Sequence, residues 1–567
     1  MTASTEFNLS SVFQTVANAI PDQTVLIWRD RRLTYAEMDS RVSGVAHYLA
    51  AQGLGCHTER DELAGHQSGQ DHLGLYLRNG NQYLESMIAG YRARAAPFNV
   101  NYRYVEEELL YLLNDADARG LVYSAEFAPQ VATVRERLPQ LQVLIQVSDE
   151  SGNTLLPGAV DYESIVATPA PASGMPAVSG DDLYILYTGG TTGMPKGVLW
   201  RQHDIFMSAM GGRPIGAAEP LASHSELAEL AVANAGFRSL LLIPPLMHGA
   251  AQWGTFNIIS AGGWVAIPDD VHRLDPVSAL RLAERERVLS ITVVGDAIAR
   301  PLLDQIETGS YDLSRLAAIT NGGATLSPTV RDRLLAALPH VMVLDAVGAS
   351  ESGMQMTTVA AKGVDPQAAT FTPQPDTAIV AADYSEVLTD GEGWLARRVF
   401  VPLGYLNDPD KTARTFPTID GVRWSIPGDR ARYLAGGRIE LLGRDSVTIN
   451  SGGEKIFAEE VERAVASHPS VYDVVVTGRP SERWGSEVVA IVQFAEGFSA
   501  SDTELADACR KHIADYKVPK AFIAVPHVVR SPAGKADYRW ASSVASLGDT
   551  DTAGTRTLRT RGSAPVD

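Results

Sequence analysis

YTGGTTGMPKGV, residues 187–198, follows directly on the apolar run Leu183-Tyr184-Ile185-Leu186. The apolar run reads as a buried strand. Three glycines, Gly189, Gly190 and Gly193, precede Lys196, with Thr188, Thr191 and Thr192 between and beside them. Glycine lets the backbone turn through positive φ and approach a ligand closely. Successive N–H groups and hydroxyls in such a turn suit phosphate oxygens, and Lys196 adds a mobile positive charge. The pattern is not the G-x-x-x-x-G-K-[ST] loop, because Gly197 follows Lys196 and leaves no hydroxyl there for a magnesium ion. The competing reading is a glycine-rich surface turn, which a string this specific disfavours.

The string resembles the signature loop of the adenylate-forming superfamily, which includes acyl- and aryl-CoA synthetases, peptide-synthetase adenylation domains and firefly luciferase. The resemblance runs from about Phe13 to about Trp540. It implies an α/β protein: a large N-terminal domain of packed mixed and parallel sheets with crossover helices, plus a small mobile α+β C-terminal domain. The reaction it implies joins a carboxylic acid to ATP, giving an acyl-adenylate and pyrophosphate, and then passes the acyl group to CoA.

Composition agrees with a chain of this kind. The 567 residues exceed what one small core organises, so at least two domains are expected. Apolar residues make up 45% and charged residues 20%, as in ordinary globular proteins. A net charge of −19 argues against a nucleic-acid or anionic-membrane surface, though not against a local basic pocket. Two cysteines, Cys56 and Cys509, cannot form a disulfide framework and suit a reducing cytoplasm. The N-terminus lacks the pattern of a signal peptide, and no apolar run approaches a membrane span. A homodimer is compatible with the sequence.

Leu9 to Ile20 has helical apolar spacing. Thr34 is expected to cap a helix carrying Met38, Val42, Val45, Ala46 and Leu49 on one face. His57 to Asp71 is polar and without period, as in a surface insertion. Short apolar runs then alternate with helical stretches as far as about Val343, among them Leu121–Tyr123, Val143–Val147, Leu240–Ile243 and Ile291–Val294. That alternation predicts parallel strands with crossover helices. A composition break near residues 442–445 divides an adenylation domain, 1–442, from a lid domain, 443–545. In the lid, Glu459–His468 and Thr503–Ile513 read as helices, and Val471–Val476 and Val488–Phe494 as strands. Residues 546–567 are nearly devoid of apolar side chains, which predicts a disordered tail.

The resemblance also assigns roles. Thr188, Gly189, Gly190, Thr191, Thr192, Gly193 and Lys196 would cradle the triphosphate. Glu351 and Thr188 would hold Mg2+, a hard ion that keeps several waters beside phosphate and carboxylate oxygens. Adenine would lie against Gly322, Gly323 and Ala324 and the run Asp345, Ala346, Val347, Gly348, Ser350, with Asp345 accepting from its amino group. The family carries tyrosine where Val347 stands, so ring stacking on the base is absent here. Asp429 and Arg444 would hold the ribose, and Pro427 replaces the family's threonine two residues before Asp429. Lys535, in Pro532-Ala533-Gly534-Lys535, would bridge the acid and the α-phosphate, making Lys535, Glu351, Lys196 and Thr188 the catalytic set. Ser451, Gly452 and Gly453 would line the pantetheine path and Trp484 would meet the CoA nucleotide, with Ser446 as the hinge. His248, Gly249, Gly295 and Ala297 would border the acyl pocket. The strings Leu199-Trp200-Arg201 and Val294-Gly295-Asp296-Ala297-Ile298-Ala299-Arg300-Pro301 resemble actinobacterial CoA ligases for fatty acids and steroid side-chain acids. The alternatives are an acyl-adenylate ligase that loads a carrier protein and a non-catalytic acyl- or nucleotide-binding homologue.

Overall fold

The computed structural model describes residues 6–547 except 172–173, 189–193, 215–216, 218, 325, 365–369, 445–447, 452–453, 482–484, 514 and 531–533. The tail from 548 onward lies outside the described residues. Residues 546 and 547, expected to begin that tail, instead complete the helix Tyr538–Leu547.

Apolar spacing produces the N-terminal elements as anticipated. The helix Leu9–Ala19 buries Leu9, Val12, Phe13 and Val16. Asn8 caps it, its Oδ1 accepting from the N–H groups of Ser10 and Ser11. Thr34 caps the helix Tyr35–Ala51 in a reciprocal arrangement with Glu37. The five apolar residues assigned to the inner face of that helix are all buried.

Two large sheets dominate. Among the described residues one has eight strands and begins its parallel part at His72–Tyr76, whose neighbours are Ala96–Asn99 and Ala118–Ser124. Its strand Leu183–Thr188 runs parallel to Ala96–Asn99 and antiparallel to Lys196–Arg201. The other sheet has sixteen strands among the described residues. Its parallel core joins Trp264–Ile267, Ser239–Leu242, Ser290–Val293, Ala318–Gly322 and Met342–Ala349 in that spatial order. Trp264–Ile267 and Ser239–Leu242 read as near-continuous apolar runs, as buried parallel strands do. The helices Pro276–Glu286, Gly295–Thr308 and Pro328–Ala337 cover one face through Leu280, Leu302, Leu303, Val330 and Leu334.

Beyond Met342–Ala349 the pairing turns antiparallel, through Gly353–Ala360, Thr370–Pro373, Ile439–Arg444 and Asp429–Tyr433. The alternation rule did not foresee this extension. Its strands are short and half-polar and carry no long run to read. Ile439–Arg444 crosses the composition break at 442–443 and remains within the large sheet.

The C-terminal segment has its own apolar cluster, built from Ile449, Ile456, Val461, Val465, Val474, Val476, Val488, Val492, Leu505 and Val518. Its helix Ala458–Ala466 and strands Val471–Ser481 and Gly485–Phe494 follow the expected runs, and the first strand extends five residues further than expected. The second helix, Asp502–Arg510, stops three residues short of the expected Ile513.

Thr34→Ala is expected to destabilise the first turn of its helix by about 1 kcal/mol. Amide hydrogen exchange at Glu37 and Met38 should then run roughly fivefold faster. Unchanged exchange there would show that packing alone holds the turn.

Candidate active site

The assigned residues gather at the carboxyl ends of the parallel strands. Thr188 ends Leu183–Thr188, Gly322 ends Ala318–Gly322, and the 244–248 segment follows Ser239–Leu242. In open α/β sheets that edge is where ligands bind. Thr188 and Lys196 are cross-strand partners at the mouth of one hairpin. The glycine turn between them, Gly189 to Gly193, lies outside the described residues.

Four buried or half-buried side chains that the sequence reading missed hold this mouth together. Asn99 Nδ2 donates to the carbonyls of Tyr187 and Met247, both at 2.8 Å, and its Oδ1 accepts from the Tyr187 N–H at 2.8 Å. Asn79 donates to the Pro244 carbonyl at 3.0 Å and accepts from the Leu246 N–H at 2.7 Å. Together they fix the phosphate-loop strand against the Pro244–His248 segment. Asp408 forms an ion pair with Lys196 while its other carboxylate oxygen caps the helix Pro409–Thr415. The Lys196 ammonium holds the Asp408 carboxyl below the usual carboxylate range. Tyr405 donates to Glu351 Oε1 at 2.8 Å, and the Lys411 ammonium sits 3.9 Å from the Tyr405 ring centre. No local pattern announces these partners, because Asp408 stands 212 residues from Lys196 and Tyr405 54 from Glu351.

Glu351 lies in the turn between Met342–Ala349 and Gly353–Ala360. Trp200 Nε1 donates to the Ser350 carbonyl at 2.8 Å, so the eight-stranded sheet braces this turn of the other sheet. The Ser425 hydroxyl donates to the Glu351 carbonyl. Gly348 is demanded by the hairpin itself: a Cβ there would meet the Gly353 carbonyl oxygen at 2.2 Å. Val347 packs against the cluster of Met356, Phe371, Ile379 and Ile439.

Asn321 organises the wall formed by the ends of Ala318–Gly322 and Met342–Ala349. Its Nδ2 donates to Asp345 Oδ1 at 2.8 Å and to the Ala324 carbonyl at 2.9 Å, and its Oδ1 accepts from the Gly295 N–H at 2.7 Å. Burial raises the Asp345 carboxyl to about 6, against the Asn321 hydrogen bond, which lowers it. Gly323 turns at φ 84°. Asp429 and Arg444, the pair expected at the ribose, are backbone partners on adjacent strands, and Gly428 before them turns at φ 101°.

His248 precedes the helix Gly249–Ser260, and its Nε2 is buried without a hydrogen-bond partner. Burial lowers its pKa to about 4, and the positive charges of Lys535 and Arg103 push the same way, so the ring is neutral at pH 7. Lys535 therefore stands within electrostatic reach of His248. A Cβ on Gly249 would lie 2.7 Å from Leu186 and 3.3 Å from the Trp253 ring. Gly295 is buried beneath Asn321, whereas Ala297 faces Gly534 of the C-terminal segment. Ser451 closes the strand Thr448–Ser451, paired with Glu454. Gly452, Gly453, Trp484 and Ser446 lie outside the described residues. Among the described residues no three His, Cys, Asp or Glu side chains converge as a metal cage.

The family model of AMP-binding enzymes matches residues 13–395, and that of the AMP-binding enzyme C-terminal domain matches residues 460–535. The chain belongs to the AMP-binding enzyme family. Among its relatives, it is 54% identical over 551 residues to the medium-chain acyl-CoA ligase Mig of Mycobacterium avium, covering 96% of this chain and 99% of that protein. It is 37% identical over 554 residues to the 3-oxocholest-4-en-26-oate–CoA ligase of Rhodococcus rhodochrous, covering 96% and 97%. In fold it resembles the anthranilate CoA ligase AuaEII in complex with anthranoyl-AMP, at a TM-score of 0.79, with 19% identity and 96% and 98% of the two chains covered. The Mycobacterium tuberculosis fatty acyl CoA synthetase aligns at a TM-score of 0.66, with 22% identity and 95% and 99% covered. No described helix is long and apolar enough to cross a membrane.

Asn99→Ala leaves a buried N–H and two carbonyls unpaired, each costing about 1–3 kcal/mol. The variant is expected to melt roughly 5 °C lower and to lose about tenfold in activity as the phosphate-loop strand and the His248 segment separate. Wild-type melting and activity would show that the clamp holds nothing.

Proposed function

We propose that this chain is an AMP-forming acyl-CoA ligase acting on a medium-length fatty acid or a steroid side-chain acid, with ATP and CoA as co-substrates. The observation that carries the reading is Lys535. Gly534, the residue before it, lies against Val294 and Ala297 at the start of the helix Gly295–Thr308, and the lysine's charge is felt at His248. The relative at 54% identity, named as a medium-chain acyl-CoA ligase, supports the same chemistry.

In this reading the acid's carboxylate enters between His248 and Gly323. Asp345 and Asn321 orient the base, and Asp429 with Arg444 orients the ribose. Lys196 exchanges Asp408 for the triphosphate. Lys535 draws the carboxylate oxygen and the α-phosphoryl group together and offsets the charge that develops as pyrophosphate leaves. The neutral His248 ring adds no second cation to compete for the carboxylate.

Mg2+ fits the donors that are present. Glu351 offers one carboxylate, Tyr405 orients it, and Thr188 offers a hydroxyl at the strand end, a sparse set suited to an ion that arrives with phosphates and water. When bound, the ion would neutralise charge on the triphosphate. We assign CoA delivery to the hairpin around Ser451–Glu454, and the pivot of a mobile lid to the residues just after Arg444. Both free cysteines suit a reducing cytoplasm.

The deciding assay offers octanoate, palmitate, benzoate and a cholesterol side-chain acid with ATP and Mg2+, with and without CoA. The expected result is a CoA-dependent thioester with octanoate or the steroid acid. Acyl-adenylate that never reaches CoA would favour a carrier-protein ligase, and absence of AMP with every acid would favour a binding protein. Lys535→Ala is expected to lower adenylation by about 10²–10³ and to spare ATP binding.

Asp345 supplies a pH test. Its folded carboxyl, at about 6, takes up a proton before the unfolded one at 3.8, so its protonation favours the folded state as pH falls through that window. The same protonation removes the charged acceptor. The KM for ATP is therefore expected to rise below about pH 6, and Asp345→Asn should abolish that rise. A KM with the same acid limb in both proteins would remove Asp345 from the adenine site.

A further inference from the structure

We infer that Arg300 is a positioning residue that seats Lys535 for adenylation, acting through Tyr472 across the seam with the C-terminal segment. This rests on the reading of Lys535 given above.

The helix Gly295–Thr308 starts at the wall that Asn321 organises, where its Oδ1 holds the Gly295 N–H at 2.7 Å. Its first turn is the seat for the Lys535 loop. Gly534 turns at φ 71°, and a Cβ on it would lie 3.1 Å from the Val294 carbonyl oxygen and 3.5 Å from the Ala297 Cβ. Small residues on both sides let the two backbones meet, which accounts for Ala297 better than an acyl contact does.

One turn further on, Arg300 has only 9% of its side chain exposed. Its Nη2 lies 2.7 Å from Asp296 Oδ2, and its guanidinium carbon lies 4.3 Å from the centre of the Tyr472 ring. Tyr472 adjoins Asp473, which binds Arg530 at 2.6 and 2.8 Å. Arg530 in turn donates to the Gly534 carbonyl at 3.4 Å. A continuous path thus runs from Arg300 through Tyr472, Asp473 and Arg530 to the residue before Lys535. A desolvated guanidinium over an aromatic face is at the strong end of cation–π contacts. It is also an easy contact to break and remake, since it needs no interlocking apolar surface. Asp296 keeps a second partner, the Ser327 N–H at 2.8 Å, so loss of the arginine leaves the helix start bonded.

The test measures the half-reactions separately on the full chain. Adenylation is followed by pyrophosphate release, and thioester formation by supplying the acyl-adenylate with CoA. Arg300→Ala is expected to slow adenylation roughly tenfold, with the KM for ATP and the thioester step within about twofold of wild type. Tyr472→Ala should match it, the double variant should be no worse than either single, and Tyr472→Phe, which keeps the ring, should behave as wild type. Equal loss in both half-reactions, or additive losses in the double variant, would overturn the proposal and leave Arg300 a structural residue. Wild type that releases no pyrophosphate with any acid would refute the functional reading instead, so the two failures are distinct. Melting temperatures of all variants identify any that fail to fold, and Tyr472→Phe against Tyr472→Ala still decides the case if Arg300→Ala is among them.

Discussion

Three hydrogen bonds from one buried amide, that of Asn99, tie the strand bearing the phosphate loop to the segment bearing His248. The cleft depends on that tie because its walls come from different sheets. Trp200 to Ser350 and Tyr405 to Glu351 repeat the same solution further along the edge. Each is a polar side chain from one sheet's strand or loop satisfying a group on the other. Such bonds contribute modest net stability when made, and a buried group left unpaired costs more. The two sheets are therefore specified relative to each other more sharply than apolar packing alone would specify them.

Charge follows the same economy of placement. A chain at −19 has to receive a polyanion, so its cations are held in reserve beside weak competitors. Lys196 waits on Asp408, an exchangeable carboxylate at a short helix's N-terminus. Lys411 rests on the face of Tyr405, where burial lowers its pKa and the Glu351 charge partly restores it. His248 is kept neutral by burial and by the positive charges of Lys535 and Arg103. In the reading proposed above, a nucleotide entering this edge meets cations already held in place by neighbouring side chains.

Much of the parallel core was legible because strands such as Ser239–Leu242 and Val143–Val147 are buried and mostly apolar. The hairpin that carries Thr188 and Lys196 was legible because its residues are close in sequence. The antiparallel wing was not legible: strands as short as Gly404–Tyr405 and Val387–Leu388 carry no period. The supporting residues were hidden for a different reason. Asn79, Asn99, Tyr405 and Asp408 each act across tens to hundreds of residues, and a lone asparagine or tyrosine has no local signature. Resemblance picked out Asp429 and Arg444 separately, while the strand register makes them backbone partners on adjacent strands. The nearness of Ala297 to Gly534 was not legible, since a small residue beside a pocket and a small residue beside an approaching backbone look alike in sequence.

The C-terminal segment has its own apolar cluster, from Ile449 to Val518, separate from those of the large sheets. Among the described residues its contacts with the large sheets include Gly534 against the Val294 carbonyl, the Tyr472 ring against Arg300, and Arg463 donating to the Leu441 carbonyl. An extensive apolar seam would bind more tightly, and it would also make departure slow. In the reading proposed above, Lys535 arrives for the first half-reaction and withdraws before a thiol reaches the same carbon. A seam that includes directional contacts such as Arg300 on Tyr472 defines a closed geometry without interlocking the two parts there, which suits that two-step reading.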